Sequence, residues 1–303
     1  MTELTDFQRK IAEFLPDIEI KMDESLEKHT SFHIGGPAEA MAFPKTAEEL
    51  SRLLKTARAL GVTPAILGAG TNVLAPDEGM SGLVICLKDC FGGMERLCDT
   101  TVRIHAGVTM ARAAVFAAGL GLSGLEFAHG IPGTVGGGVY MNAGAYGGEI
   151  CQVCSQVCVM DLGGNRKLLS NEEMGFSYRN SRIQQENAIV LFADFRLQPQ
   201  PEVAIREKMQ ELMAKRRASQ PLDMPSAGSA FKRPATGYAA ALIDGAGLKG
   251  FQIGGAAVSE KHAGFIVNLG DATAADVRAL LDAVANKVEV IHGVRLEPEV
   301  RIW

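Results

Sequence analysis

The sequence lacks any cluster of lysines and arginines, and this absence argues against a nucleic-acid-binding surface. Its 303 residues carry a formal net charge of −5, with 30 basic and 35 acidic side chains. Because nucleic-acid phosphates are bound by clustered positive charge, we predict no nucleic-acid partner. The first ten residues, MTELTDFQRK, are polar and acidic, so no signal peptide is expected.

Long hydrophobic runs are also missing. A membrane-spanning helix needs about 18 consecutive apolar residues, and the best candidate is interrupted by Arg112 and Glu126. Hydrophobic residues nevertheless make up 47% of the chain, enough to fill a sizeable core. We therefore expect no membrane segment and a two-domain protein in the cytoplasm.

The six cysteines form neither a disulfide framework nor a recognisable metal-ligand pattern. Cys151, Cys154 and Cys158 lack a matched fourth ligand and lie in a segment typical of a strand. His29 and His33 are four residues apart, but they lie in a predicted loop. We interpret the cysteines as small buried hydrophobic side chains in a reducing compartment, and we predict no metal.

One stretch is unusually rich in glycine and almost free of charge. Residues 124–149 read GLEFAHGIPGTVGGGVYMNAGAYGGE. Glycine has no Cβ, so backbone N–H groups can lie close to a flat or anionic ligand. A flexible linker would place polar residues between its glycines, whereas this stretch carries Phe127, Val135 and Tyr140. The stretch is therefore predicted to be a buried loop that holds a ligand.

A second glycine-rich loop, LGAGTNVL (residues 67–74), follows a predicted buried strand. Gly68 and Gly70 match the start of the dinucleotide-binding pattern G-x-G-x-x-G, but Val73 occupies the third glycine position. The residues that follow do not start a helix, so a Rossmann fold is not supported. The alternative is a strand–loop–strand unit that wraps phosphates with backbone donors.

Apolar periodicity and capping residues predict the remaining elements. The predicted helices are an N-terminal segment ending at Pro16, a segment between Thr46 and Gly61, residues 110–119, the segment AIREKMQELMAKRRA, and a last helix from Thr273 to Gly293. The predicted core face of the last helix consists of Val277, Leu280, Leu281, Val284, Val288 and Ile291. A hairpin is expected around Gly163 and Gly164, and a domain boundary at Pro199, which gives domains 1–199 and 200–303.

Six segments together resemble one enzyme family. In chain order, between about His29 and Val300, they read HTSFHIGGPA, LGAGTNVL, GIPGTVGGGVYMNAGAYGGE, FSYRNS, PSAGSAFKRP and LEPEV. This set is similar to the UDP-N-acetylenolpyruvoylglucosamine reductase (MurB) family, flavoenzymes that make UDP-N-acetylmuramate for the bacterial cell wall. The short connection between FSYRNS and GSAFKRP resembles the compact branch of the family, which lacks a lid insertion.

The resemblance implies an α+β fold, with an FAD-binding domain of the vanillyl-alcohol-oxidase (PCMH) type and a C-terminal α+β substrate-binding domain. It implies non-covalent FAD, NADPH as co-substrate and UDP-N-acetylglucosamine enolpyruvate as substrate, and we expect a monomer. The last strand, about 294–303, would return to the active site. The residues implied to contact FAD are Gly68, Ala69, Gly70, Thr71, Asn72, Gly130, Ile131, Pro132, Gly133, Thr134 and Gly137.

The resemblance also implies three catalytic residues. Arg179 would bind the substrate carboxylate, Ser229 would donate a proton, and Glu299 would assist as an acid or a polarising partner. Without the family, each residue also fits a plain surface role: an arginine beside a turn, a serine capping a glycine turn, and a glutamate on a solvated strand face. The family register selects them over the neighbouring residues of the same type.

The implied substrate contacts are Tyr178, Lys232, Arg233 and Asn268. Arg233 stands where many members of the family carry an asparagine that contacts the nucleotide part of the substrate. That contact is therefore in doubt for this chain, although an arginine can bind a diphosphate.

Two other functions are weighed against the reductase. A different flavin oxidoreductase of the same fold would act on another alcohol or acid. Such oxidases often attach the flavin through a histidine in the first glycine loop, where this chain has Thr71 and Asn72. A non-catalytic module that binds flavin or a sugar nucleotide would hold FAD without substrate-dependent oxidation of NADPH.

Overall fold

The computed structural model describes residues 4–303; residues 1–3, which begin the segment predicted to lack a signal peptide, lie outside the described residues. The chain divides into two compact units that interleave along the sequence. The first unit contains residues up to 22, 39–69 and 82–215, and the second contains 23–38, 70–81 and 216–303. The last change of unit thus falls at residues 215/216, and the predicted domain boundary at residue 199 stays a prediction. No helix in the described range is long and apolar enough to span a membrane.

The structure contains strands and helices in alternation along most of the chain. The strands are β1 (Ile20–Ser25), β2 (Pro37–Ala42), β3 (Ala65–Leu67), β4 (Val73–Leu74), β5 (Met80–Cys86), β6 (Met94–Cys98), β7 (Thr101–His105), β8 (Leu122–Ser123), β9 (Gly144–Ala145), β10 (Gly148–Glu149), β11 (Cys154–Met160), β12 (Arg166–Ser170), β13 (Ile189–Arg196), β14 (Gln198–Pro199), β15 (Ser226–Ser229), β16 (Gln252–Ile253), β17 (Ala256–Val258), β18 (Phe265–Asn268) and β19 (Arg301–Ile302). The α-helices are α1 (Asp6–Phe14), α2 (Ala47–Ala59), α3 (Met110–Gly119), α4 (Val135–Tyr140), α5 (Ile150–Val153), α6 (Ile183–Glu186), α7 (Glu202–Ser219), α8 (Ala239–Gly245) and α9 (Ala274–His292). Short 3-10 helices cover Leu26–His29 and Glu126–Ala128.

Two larger sheets organise the first unit. One has the strand order β12-β11-β13-β7-β6, and the other, whose strands lie mostly in this unit, has the order β1-β2-β5-β3. Strands β11 and β12 form the predicted hairpin. One hydrophobic core lies where α3 and α4 pack on the first sheet. A second core joins α1 and α2 to strands of both sheets, since it contains Met160 of β11 and Leu191 of β13 as well as Ala40 and Leu83.

Helix α3 has the predicted limits because its start is marked in the sequence. The hydroxyl of Thr109 accepts a hydrogen bond from the backbone N–H of Arg112 at 3.3 Å, which caps the first turn. Alanines at positions 113, 114, 117 and 118 are buried, so neighbouring backbone can lie close to this face. The α2 helix is likewise confirmed, with Thr46 as its cap.

The prediction of a loop throughout residues 124–149 is wrong for Val135–Tyr140, which forms helix α4. Three consecutive glycines have poor helix propensity, but tertiary packing compensates. A Cβ added at Gly136 would lie 2.9 Å from the Cβ of Ala106, and one at Gly138 would lie 2.8 Å from the Sδ of Met110. Glycine is therefore needed for the helix to pack this closely on the sheet and on α3.

A four-stranded sheet and one long helix form the second unit. The sheet has the order β15-β18-β17-β16, and β19 pairs in parallel with β4. Helix α9 begins at a capping box between Thr273 and Asp276 and ends at Gly293, whose φ is +68°. The predicted core face of α9 is confirmed except at Ile291, which is 55% exposed because the last turn of the helix leaves the core.

The predicted C-terminal strand over residues 294–303 is shorter in the structure. Only Arg301–Ile302 forms a strand, and Pro298 takes part in an isolated bridge with Phe231. Proline has no backbone N–H to donate, so it interrupts a ladder of hydrogen bonds. Within this segment Leu296 and Val300 are buried, whereas Ile302 is 42% exposed.

Candidate active site

The two predicted glycine loops meet in the first unit at the side chain of Thr134. A Cβ added at Gly68 would lie 2.7 Å from the Thr134 hydroxyl, so only glycine allows this approach. The same hydroxyl accepts a hydrogen bond from the backbone N–H of Gly137 at 3.3 Å. Three residues that were predicted to contact the cofactor, Gly68, Thr134 and Gly137, thus come together.

The segment before α4 is held by backbone hydrogen bonds and leaves small residues on its surface. The carbonyl of Gly133 accepts from the N–H of Met110 at 3.0 Å, and the N–H of Ile131 donates to the carbonyl of Ala128 at 3.0 Å. Gly133 has φ +128°, a conformation that favours glycine. Pro132 and Gly137 are exposed, while Gly130 and Ile131 are half-buried. A backbone surface of this kind suits a flat ring system, so the residues fit a flavin.

The rest of the first glycine loop, residues 70–72, belongs to the second unit. Gly70 has φ +62°, and a Cβ there would overlap the carbonyl oxygen of His29 and lie 2.8 Å from the Cα of Thr30. The Gly70 carbonyl also accepts from the N–H of Ser31 at 3.1 Å. The HTSF segment therefore packs directly on Gly70 and fixes the loop.

Asn72 anchors the same loop to the C-terminal segment. Its Nδ2 donates to the carbonyl of Glu299 at 3.2 Å, and its own carbonyl accepts from the N–H of Arg301 at 2.9 Å. The predicted cofactor contacts of Ala69, Thr71 and Asn72 stay predictions. The hydrogen bonds to the C-terminal segment give Asn72 a structural role that the sequence did not indicate.

Arg179 occupies the third position of a tight turn in the first unit. Ser177 and Asn180 exchange two backbone hydrogen bonds of 3.1 Å each, and Arg179 between them has φ +54°. Left-handed backbone is costly for a non-glycine residue and recurs at functional sites. The guanidinium lies 5.0 Å from the centroid of the Tyr178 ring, and its NH2 group lies 3.5 Å from the carbonyl of Gly144.

Ser229 and Glu299 come close together in the second unit. The N–H of Glu299 donates to the carbonyl of Ala230, the residue after Ser229, at 2.9 Å. A register shift between Ser226 and Ser229, with Gly228 at φ +76°, changes the direction of the strand next to Ser229. Among the described residues, none forms a hydrogen bond with the Ser229 hydroxyl, so a turn-capping serine does not describe it.

The four predicted substrate contacts differ in their surroundings. Tyr178, Lys232 and Arg233 are exposed; Lys232 forms a 3.2 Å ion pair with Glu297, and the guanidinium of Arg233 lies 4.3 Å from the centroid of the Tyr238 ring. Exposed ion pairs contribute little stability, so Lys232 can exchange Glu297 for a ligand phosphate at small cost.

Asn268 differs from the other three because it is buried and its side chain already has structural partners. Its Nδ2 donates to the carbonyl of Phe32 at 2.9 Å, and its Oδ1 accepts from the N–H groups of Gly270 and Ala272. As a substrate contact Asn268 stays a prediction. Its observed hydrogen bonds hold the loop after β18.

The sequence predicted that the cysteines are buried, but the structure buries only some of them. Cys86, Cys154 and Cys158 are buried, but Cys90 and Cys151 are half-buried and Cys98 is exposed. Burial raises the pKa of the Cys154 thiol to about 12 and that of Cys90 to about 11. Both thiols therefore stay protonated at neutral pH, as expected for packing residues and not for nucleophiles.

Sequence reasoning missed two polar side chains that hold the site segments. Ser31 donates its hydroxyl hydrogen bond to the carbonyl of Ser226 at 2.6 Å, and Asn142 connects the glycine-rich stretch to the Ser177–Asn180 turn. Ser31 lies within the family motif HTSFHIGG, and Asn142 tolerates left-handed backbone, here with φ +42°. The motif around Ser31 and the tolerance of asparagine for left-handed backbone could have indicated these two residues.

Comparison with known proteins identifies both halves of the chain. Residues 38–166 match the family described as FAD binding domain. Residues 220–303 match the C-terminal domain of UDP-N-acetylenolpyruvoylglucosamine reductase. These matches confirm the predicted α+β fold with a flavin-binding domain before a reductase C-terminal domain, and FAD as the cofactor.

Relatives align with nearly the entire chain. A UDP-N-acetylenolpyruvoylglucosamine reductase from Symbiobacterium thermophilum is 46% identical over 94% of this chain and 92% of its own length. One from Lactococcus lactis is 45% identical over 96% of both chains. The crystal structure of the Thermus caldophilus reductase superposes with a TM-score of 0.80 at 36% identity, covering 94% of this chain and 98% of that one. The chain therefore belongs to the UDP-N-acetylenolpyruvoylglucosamine reductase family.

Proposed function

We propose that this enzyme reduces UDP-N-acetylglucosamine enolpyruvate to UDP-N-acetylmuramate with NADPH, and so supplies a precursor for peptidoglycan synthesis. The observation that carries the proposal is the pairing of the Ser229 segment with the Glu299 segment, two family motifs that are far apart in sequence. When bound, FAD supplies the hydride chemistry: it accepts hydride from NADPH and delivers hydride to the enolpyruvyl methylene carbon.

The residues of the chain have separate tasks in this reaction. Hydride delivery to the methylene carbon places negative charge on the adjacent carbon and its carboxylate, so a cation must bind there. Arg179 binds that carboxylate through its planar donors, and the left-handed turn directs the side chain. Gly68, Thr134 and Gly137 provide close-packed backbone for the cofactor.

A proton must then reach the carbon that carries the negative charge. The Ser229 hydroxyl holds this proton. A serine hydroxyl is a weak acid, so it gives up its proton only to a strongly basic acceptor such as the negatively charged carbon. Glu299 polarises the substrate from the adjacent segment. Lys232 and Arg233 follow Ser229 in the chain and bind the diphosphate of the substrate.

The decisive experiment is to purify the protein, record its flavin spectrum and follow NADPH oxidation with and without the enolpyruvyl substrate. We expect bound FAD and oxidation that depends on the substrate. FAD without substrate-dependent oxidation would favour a non-catalytic binding module, and oxidation of another alcohol or acid would favour a different flavin oxidoreductase. A protein that cannot bind FAD would exclude both the reductase and the other flavin oxidoreductase.

Glu299→Gln should lower turnover by about 10²-fold, the lower end of the usual contribution of a positioned acid–base group. The backbone hydrogen bonds of Glu299 to Ala230 and Asn72 do not involve its carboxylate, so FAD content should not change. Steady-state kinetics and the ratio of flavin to protein absorbance measure the two effects. Glu297→Gln is the control, because that carboxylate forms an ion pair with exposed Lys232, and activity should stay within about 2-fold. Loss of FAD from Glu299→Gln would make Glu299 structural.

The location and assembly of the enzyme are also proposals. All six cysteines are free thiols, which is typical of a reducing compartment such as the cytosol. We propose that the enzyme acts there as a monomer, which size-exclusion chromatography with light scattering would test.

A further inference from the structure

Asn142 is a buried polar side chain to which the reaction above gives no task. Its Nδ2 donates to the carbonyl of Ser177 and to Oε2 of Glu149, both at 3.1 Å, and its Oδ1 accepts from the N–H of Cys151 at 2.9 Å. The residue is 1% exposed. We propose that Asn142 is a positioning residue, whose hydrogen bond to the Ser177 carbonyl fixes the turn that presents Arg179 to the substrate carboxylate. This inference rests on the proposed function, because it requires Arg179 to bind that carboxylate.

The turn needs support from outside itself. Two backbone hydrogen bonds and a 3.3 Å hydrogen bond from Asn180 Nδ2 to the Ser177 hydroxyl close it, and Arg179 holds a left-handed conformation that is costly for a non-glycine residue. Ser177 and Tyr178 are exposed, so they contribute little packing. The Asn142 hydrogen bond connects this exposed turn to a buried group, and Gln184 Nε2 supports the Arg179 carbonyl at 3.1 Å.

Asn142 is fixed at its other end by the glycine-rich stretch. It follows α4 and precedes the β9–β10 hairpin. Its side chain bonds to the carboxylate of Glu149 at the end of the hairpin and to the backbone N–H of Cys151 just after it, so the hairpin is held at its base. The carbonyl of Gly144 in the hairpin also accepts a hydrogen bond from the Arg179 guanidinium at 3.5 Å. The stretch 124–149 therefore has two tasks, which are to provide cofactor-binding backbone and to hold the substrate-binding arginine.

A merely structural asparagine would behave differently when replaced. Its replacement would lower the thermal stability and the FAD content. The replacement would also slow flavin reduction by NADPH as much as it slows the reaction with the substrate. A positioning residue that acts through Arg179 affects only the steps in which the substrate carboxylate is bound. The ratio between the two half-reactions separates these possibilities.

Asn142→Asp tests the proposal most directly, because aspartate keeps the shape of the side chain and changes only its donor and its charge. One carboxylate oxygen still accepts from the Cys151 N–H, but the donor to Ser177 is lost and the new charge faces Glu149. We expect kcat/KM for the enolpyruvyl substrate to fall about 10-fold or more, as for the loss of one hydrogen bond in a buried site. The rate of flavin reduction by NADPH should be unchanged, and binding of UDP-N-acetylmuramate, measured by calorimetry, should weaken about 10-fold.

A second variant separates folding from positioning. In the double variant Asn142→Asp with Glu149→Gln, the side-chain amide at position 149 can donate to the carboxylate at position 142. The melting temperature, lowered in Asn142→Asp alone, should therefore recover. The hydrogen bond to Ser177 is still absent, and kcat/KM should remain low. Recovery of kcat/KM together with the melting temperature would overturn the proposal.

Asn171→Ala is the matched control. Asn171 Nδ2 donates to the carbonyls of Cys151 and Cys154 at 2.8 and 2.7 Å, and these bonds do not involve the turn. This variant should lower the melting temperature while leaving the KM for the enolpyruvyl substrate within about 2-fold, as for a site remote from the turn. An equal rise of KM in Asn171→Ala and Asn142→Asp would show that general loosening, and not positioning, is responsible.

Arg179→Ala distinguishes a failure of this inference from a failure of the proposed function. If Arg179→Ala retains full activity, the role proposed for Arg179 is wrong. If Arg179→Ala is impaired, Asn142→Asp should add less than about 2-fold in its background, because both act through one group. Independent losses that multiply would overturn the positioning role and leave the role of Arg179 intact.

Discussion

Ser229→Ala is expected to reduce turnover of the enolpyruvyl substrate by about 10²-fold to 10⁴-fold, the usual contribution of a positioned proton donor. Reduction of the flavin by NADPH should proceed at its normal rate, because that step needs no proton from Ser229. Stopped-flow absorbance follows the two half-reactions separately. The hydroxyl is exposed and has no hydrogen-bond partner among the described residues, so the substitution should change the melting temperature little.

Ser226→Ala is the control for this variant. Ser226 lies three residues earlier in the same strand, and its contacts with Ser31 use the backbone of Ser226 and not its hydroxyl. Its activity should therefore be close to that of the unchanged enzyme. Full activity in Ser229→Ala would show that another group donates the proton, and equal losses in both variants would indicate damage to the strand.

Gly70→Ala should cost the enzyme roughly 2–5 kcal/mol of folding stability and its bound FAD. About 1–2 kcal/mol comes from the left-handed backbone at φ +62°. Another 1–3 kcal/mol is typical of forcing a methyl group into a filled space, here against the His29 carbonyl and the Cα of Thr30. The melting temperature should fall by about 5–15 °C, and the ratio of flavin to protein absorbance should drop with it.

Two other glycines serve as controls for Gly70→Ala. Gly61 has φ +73° but nothing within 4 Å of an added Cβ, so Gly61→Ala should show the backbone cost alone, about 1 kcal/mol. Gly119 lies in helix α3, has no positive φ, and has nothing within 4 Å of an added Cβ. Gly119→Ala should therefore be neutral or stabilising. If Gly70→Ala lowers the melting temperature no more than Gly61→Ala, the close packing of the HTSF segment on Gly70 does not limit stability.

Local signals allowed most helices and strands to be predicted from the sequence. Thr109 and Thr273 cap α3 and α9 through their hydroxyl groups, and Gly293 ends α9 through its left-handed backbone; each acts on backbone within four residues. Helix α4 was missed for the opposite reason. Its glycines oppose helix formation locally, whereas the burial of Val135 and Val139 and the close approach to Ala106 and Met110 depend on tertiary contacts that no local pattern records.

The candidate site was predictable only where residues matched family motifs. The register of the motifs indicated Ser229 and Glu299, but nothing near either residue in the sequence indicates that their segments pair. The left-handed turn at Arg179 was likewise invisible, since arginine gives no sign of positive φ. Asn142 was overlooked because its partner Ser177 lies 35 residues later in the chain, outside the glycine-rich stretch.

The parallel pairing of β19 with β4 affects the order in which the protein can fold as it is synthesised. Asn72 and the carbonyl that it binds on Glu299 are separated by 227 residues, and β4 directly follows the glycine loop. A ribosome adding about 5–20 residues per second exposes β4 for more than ten seconds before its partner strand exists. The nascent chain therefore carries an unpaired strand edge through most of translation, when a chaperone could protect it. The loop at residues 70–72 consequently reaches its final conformation late, after the distant partner strand has left the ribosome.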